Sequence, residues 1–354
     1  MGAEKKTTTK RTLKMILLFS NRGFSRNKNS HKAYNNRLDN TLRLSNVTLN
    51  DGKWDLTHFN NDNHVESLKT IRDVETNDKP WVFFVHGYNL TLEGNLEQIQ
   101  GIIDRHNVNV IGFSWPSRPI IKKGFPLPMK KLVKRYRAAQ RAAEHSAPFL
   151  YEAIEAVNSA FILDDNPVPM SFMVHSLGNY LFECMIKNQD NQAAMEGFQN
   201  LIFSQADVNA ADHQDWITPI PCSGRRYVLT NWQDMVLSVS NTINATRLGQ
   251  TIDHKPCDKI TYVDYTDAIG VGGGDTHGMF KINESQNEHI HQFIYDAVRG
   301  DTELPNDGFE RIEARNTHQI IKRYGNEFGA KKRLKGGRAR HKARLSRGYR
   351  STIR

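Results

Sequence analysis

The sequence predicts an α/β fold, a mostly parallel, doubly wound sheet flanked by helices, on three observations. Short apolar runs, of which Trp81–Val85 is the purest, have the unbroken character of strands buried on both faces. They alternate with stretches whose apolar residues recur at helical spacing, as Leu92, Leu96, Ile99 and Ile103 do. Loops carrying Gly, His, Ser and Asp follow the strands, at the carboxyl edge where parallel sheets place their chemistry.

Taken in order, residues 1–14 are polar and basic and read as a flexible leader. Residues 15–20 predict a first strand running into Asn21-Arg22-Gly23. Between 25 and 79 the chain is rich in Asn, Asp, Lys and Ser, and alternating pieces such as Leu42-Arg43-Leu44 predict a minor strand or two at the sheet edge. The Trp81–Val85 strand ends in His86-Gly87-Tyr88-Asn89, and after one helix the strand 108–113 closes on Ser114-Trp115-Pro116. Residues 117–133, with three prolines and several lysines, read as an excursion over the top of the sheet. A long helix over about 134–161 contains Pro148, a site of kinking.

The stretch 169–182 organises the rest. It reads as an apolar strand, a turn at His175-Ser176-Leu177, and a helix with Leu181, Phe182, Met185 and Ile186 on one stripe. Strands then follow at 199–206, ending before Asp207; at 225–230, ahead of Asn231-Trp232-Gln233-Asp234; and at 260–264, ahead of a Gly-rich loop ending in His277. A closing helix carries Ile290, Phe293, Ile294, Ala297 and Val298 on one face. Residues 301–330 predict a short appended helix through Ile320, Ile321 and Tyr324. The expected organisation is a leader (1–14), one α/β domain (15–300), that helical segment (301–330) and a basic tail (331–354) with too few apolar residues to fold alone.

With 354 residues and 38% hydrophobic content the chain can bury a large core. No run approaches the roughly 18 apolar residues of a transmembrane segment, the stretch 15–19 is too short for a signal-peptide core, and Lys6 breaks the myristoylation pattern. Cys184, Cys222 and Cys257 form neither a framework nor a C-x-x-C pair, which predicts a reducing, cytoplasmic setting. The net charge of +10 belongs to the ends. The tail holds eleven Lys and Arg and no Asp or Glu, which leaves about −1 for the remainder; without the leader's net +4 the body stands near −5.

A serine on a sharp strand-to-helix turn projects its hydroxyl from the sheet, and the helix N-terminus behind it favours developing negative charge. Hydrolysis through such a serine needs a base, an acid to orient the base, and donors for the oxyanion. Ser176, Asp234 and His277 occur in a known order for this chemistry, each on a loop after a strand. Asp234 equally fits as the cap of a helix starting at Met235, and Asp207 is a rival acid one strand earlier; the later position suits the order better. His277 could also be a loop histidine packed by glycines. The oxyanion donors are expected to be the backbone N–H groups of Leu177 and Tyr88, with Gly87 allowing close backbone approach. His86, Gly87, Asn89 and His175 are expected to line the site, His86 and His175 as orienting or structural residues. Val174 departs from the small residue that the G-x-S-x-G pattern wants two positions before the serine. His289 and His291 lie two apart, poor spacing for metal ligands, and nothing in the sequence calls for a metal or cofactor.

The motifs Phe83-Phe84-Val85-His86-Gly87-Tyr88-Asn89, Phe113-Ser114-Trp115-Pro116-Ser117 and His175-Ser176-Leu177-Gly178-Asn179 resemble a bacterial α/β-hydrolase family of the esterase/lipase superfamily, long catalogued as a domain of unknown function. Asp234 after a Tyr-containing strand, Arg247-Leu248-Gly249 and Gly274-Asp275-Thr276-His277 extend the resemblance, which spans roughly 15–300. It implies an α/β-hydrolase fold and a Ser176–Asp234–His277 triad but does not supply a substrate. The first reading is a cytoplasmic serine hydrolase acting on a small carboxylic ester or related acyl substrate. A second reading is a hydrolase fold that has lost activity and binds nucleic acid or an anionic surface through residues 331–354, whose basic residues would neutralise several phosphates.

Overall fold

Eleven strands of the described residues form one sheet, in the order β10-β11-β9-β8-β7-β6-β4-β5-β1-β2-β3. The structure is a computed structural model that describes residues 15–25, 30–59, 63–74, 78–118, 129–163, 166–188, 191–251, 256–269, 274–304, 307–312 and 317–320. The leader, the tail and most of the proline-bearing excursion lie outside the described residues.

The chain enters through β1 (Met15–Phe24), β2 (Tyr34–Asn50), β3 (Lys53–His58) and helix α1 (His64–Val74). The predicted edge strands are thus longer than their composition implied: β2 runs for 17 residues. Its exposed face carries polar residues, as an antiparallel ribbon with one wet side requires, and this conceals the strand in the sequence. Then follow β4 (Trp81–Val85), α2 (Leu92–His106), β5 (Asn109–Ser114) and α3 (Met129–Val157). Helix α3 starts earlier than its apolar pattern predicts and runs through Pro148 into one π-turn at Asn158–Ile162.

The organising stretch is β6 (Met170–His175) and α4 (Gly178–Ile186). After it come β7 (Leu201–Ser204), α5 (His213–Ile217), β8 (Arg226–Thr230), α6 (Met235–Ser240), β9 (Thr261–Asp264) and α7 (Glu288–Val298). The helix expected within 301–330 is instead a hairpin of β10 (Phe309–Ile312) and β11 (Thr317–Ile320), with β11 parallel to β9. Ile320 sits at helical spacing from Tyr324, yet a free sheet edge outweighs weak local propensity in so short a segment. Residues 321–330 lie outside the described residues.

Alternate residues of the central strands feed two cores. Phe83, Val85, Phe172, Val174 and Phe203 pack with α1, α3, α4 and α5 on one face. Val82, Phe84, Met173, Ile202 and Leu229 pack with α2 and α7 on the other. Burial on both faces is what unbroken apolar strands require. The parallel register aligns Val85 with Val174 and with Phe113, His175 with Ser204, and Thr230 with Asp264. Their following loops therefore open on one edge of the sheet.

Candidate active site

Ser176 takes a left-handed backbone, φ 54°, between β6 and α4. A non-glycine residue there costs about 1–3 kcal/mol and persists only where its surroundings hold it. Its N–H donates to Ser204 O at 3.0 Å, and its carbonyl accepts from the Asp207 N–H at 3.1 Å. Asn179 Nδ2 donates to Ser176 O at 3.0 Å and Val174 O at 3.2 Å, which ties the start of α4 back across the turn. Gly178 is needed at the first position of α4, because a Cβ there would lie 2.7 Å from His86 O. Val174, two before the serine, points into the core, and the turn forms with it in place.

His277 ends a single 3-10 turn, Gly274–His277, held by the Asn231 Nδ2 donation to Thr276 O at 3.0 Å. Its Nε2 stands 2.9 Å from Ser176 Oγ and its Nδ1 2.6 Å from Asp234 Oδ2. A carboxylate only accepts, so Nδ1 carries the proton and Nε2 is left to accept from the serine hydroxyl. Asp234 is fully buried. Its Oδ1 accepts from the Val236 and Leu237 N–H groups at 2.9 and 3.0 Å. The capping reading and the His-orienting placement thus hold together, one carboxylate oxygen for each.

Asp207, the rival acid, is engaged elsewhere. It accepts from Tyr136 Oη at 2.8 Å and Ser240 Oγ at 2.7 Å, with Arg247 at 3.8 Å. Burial pushes its carboxyl above the usual range despite those donors.

The β4 loop crosses directly in front of the serine: a Cβ on Gly87 would lie 2.6 Å from Ser176 Cβ. Of the two segments that meet here, neither the Tyr88 nor the Leu177 backbone N–H donates a hydrogen bond among the described residues. Asn89 takes a left-handed turn, φ 64°, and its Oδ1 accepts from Arg135 at 3.1 Å. The Tyr88 ring meets Tyr136, with centroids 5.9 Å apart.

Residues 62–278 match the family described as Alpha/beta hydrolase of unknown function (DUF900). The chain belongs to this family. No curated protein matches the chain significantly. In this α/β hydrolase the matched span contains the Ser176, Asp234 and His277 loops and every strand from β4 to β9.

Of the site-lining histidines, His175 is buried, its ring 4.8 Å from that of His277 and 5.0 Å from Phe280. Burial holds it well below the ordinary histidine range, so it packs as a neutral wall behind His277. His86 is buried too, stacked on Trp115 at 5.6 Å. Among the described residues no group of three or more His, Cys, Asp or Glu side chains is placed to hold a metal, and no helix is long and apolar enough to cross a membrane. Sequence reasoning missed three residues: Asn179, which ties the turn; Asn231, which holds the His277 turn; and Arg22, from the end of β1. Asn179 had a signal, since it closes the His175–Asn179 motif. Arg22 had only its place at the end of an apolar strand.

Proposed function

We propose that this α/β hydrolase is a serine hydrolase that cleaves a carboxylic ester or a related acyl compound through an acyl-enzyme. Two contacts and one turn support the reading: Ser176 Oγ to His277 Nε2 at 2.9 Å, His277 Nδ1 to Asp234 Oδ2 at 2.6 Å, and the left-handed turn that presents the serine. Ser176 Oγ attacks the acyl carbon as its proton passes to His277 Nε2. Asp234 stabilises the resulting imidazolium and fixes its tautomer. The oxyanion is met by the Tyr88 and Leu177 N–H groups, the latter at the N-terminus of α4. The His277 proton then goes to the departing alcohol oxygen, and the C–O bond breaks. Water, deprotonated by the same nitrogen, attacks the acyl-enzyme and releases acid and free serine. Three free cysteines fit a cytoplasmic setting.

The test is labelling with a fluorophosphonate, which phosphonylates an activated serine. Ser176 is expected to be the one labelled residue, and Ser176→Ala to abolish labelling with little change in melting temperature. Persistent labelling of the alanine variant, or none of the parent, overturns the reading.

A further inference from the structure

Arg22, at the end of β1, is fully buried, and among the described residues no carboxylate pairs with it. Burial pulls its guanidinium down to about 9, so it keeps its charge at neutral pH. An unpaired cation of this kind is costly to bury, and its partners show what its geometry accomplishes. Nε donates to Ser114 Oγ at 2.8 Å and a terminal nitrogen to Asn36 Oδ1. The other terminal nitrogen donates to Leu90 O at 3.1 Å and reaches His86 Nε2 at 3.3 Å. Arg22 thus holds the β4 loop on both sides of Tyr88. It also lies outside the span, 62–278, that matches the family.

The contact with His86 determines more than position. His86 Nε2 also accepts from the Trp115 N–H at 3.2 Å. A nitrogen facing two donors carries no proton, so the His86 proton sits on Nδ1 and is donated to Gly87 O at 2.8 Å. Burial and the Arg22 charge both hold His86 well below its ordinary range, and the ring stays neutral. The Gly87 carbonyl and the Tyr88 N–H are opposite ends of one planar trans peptide. Fixing the first fixes the direction of the second.

We propose that Arg22 is a positioning residue for the oxyanion: through the tautomer of His86 and the Leu90 carbonyl, it aims the Tyr88 N–H. The inference rests on the serine-hydrolase reading above. A planar guanidinium can span Ser114, Asn36, Leu90 and His86 at once, whereas a lysine ammonium cannot.

The test compares the parent with Arg22→Met and Arg22→Lys by the second-order rate of fluorophosphonate labelling and by turnover of p-nitrophenyl acetate. Removing an oxyanion donor costs about 10²–10³ in rate, so misdirecting one is expected to cost about 10–100-fold. That loss should fall in kcat with KM within about twofold, and inhibition by an aryl trifluoromethyl ketone, whose adduct bears the oxyanion, should weaken in parallel. Burying methionine in place of an unpaired charge need not lower the melting temperature, so loss of rate without loss of stability supports positioning. Should Arg22→Met not fold, two changes at His86 decide. The Asn amide stands where Nδ1 does and can still donate to Gly87 O, but the Gln amide stands at Nε2 and cannot. His86→Asn should label at least tenfold faster than His86→Gln. Equal rates for those two, or parental kcat in a folded Arg22→Met, overturn the inference. Absence of labelling in the parent overturns the hydrolase reading instead.

Discussion

Gly87→Ala is the sharpest probe of the site, because its cost follows from one distance. An added Cβ would sit 2.6 Å from Ser176 Cβ, 3.1 Å from His175 O and 3.2 Å from His175 Nδ1. Carbon atoms in contact stand about 3.5–4.0 Å apart, so the β4 loop must retreat by about 1 Å from the serine. The serine cannot yield, since its turn is tied by Ser204 O, Asn179 and the Asp207 N–H. The retreating segment carries the Tyr88 N–H. A displacement of about 1 Å at a reacting centre costs about 10²-fold, and full loss of one oxyanion donor about 10²–10³. Gly87→Ala is therefore expected to lower kcat for p-nitrophenyl acetate by about 10²-fold or more while the protein stays folded. Steady-state kinetics, with circular dichroism to confirm the fold, is the measurement. A folded variant with turnover within threefold of the parent refutes the placement of the oxyanion donors on this loop.

Asp234→Asn keeps an oxygen for the α6 cap but turns an amide donor toward His277, so Nδ1 must accept and Nε2 presents its proton to the serine; turnover should fall by about 10⁴. Asp207→Asn should lower the melting temperature more than the rate, because its partners are Tyr136 and Ser240; the reverse ranking would move the orienting acid to Asp207. His86 and His175, both held well below the usual histidine range, refuse protons that the unfolded chain accepts near pH 6.5. Stability is therefore complete above that pH and falls below it, toward about 1.4 kcal/mol per pH unit for each ring. Asp207, pushed upward by burial, opposes the fall as it begins to protonate; urea midpoints that stay flat from pH 8 to 5 would contradict this. Ending the chain near Ala330 should leave ester turnover intact and abolish DNA binding, whose log–log salt slope in the full chain should be about −5 for about six phosphates neutralised. Equal DNA binding by the shortened chain would rule out the tail as the binding segment.

The central strands were legible because burial on both faces leaves an unbroken apolar run, as in Trp81–Val85. The order of Ser176, Asp234 and His277 was legible because each follows a strand. What escaped was decided by tertiary context. Strand β2 is half wet and reads as polar, and the hairpin of β10 and β11 carries too few residues to declare a period. Arg22 reads as a surface cation until the fold closes around it. The double duty of Asp234 was also hidden, since either role alone accounts for an Asp before an apolar helix.

The same hairpin bears on how the chain reaches its folded form. Eight strands, from β11 through β9 to β1, run parallel, and antiparallel strands close both flanks, β10 beyond β11 and β2 with β3 beyond β1. On the β3 side the seal is made early in synthesis, by residues that precede 59. On the other side Tyr262, Val263 and Asp264 of β9 wait for Thr317, His318 and Gln319. All residues of the candidate triad emerge first, so a nascent or shortened chain ending at residue 300 holds the candidate triad beside a bare strand. An unpaired strand of that kind invites pairing with another chain. This late hairpin thus governs whether a chain that already carries the three loops of its candidate triad remains alone or joins its neighbours.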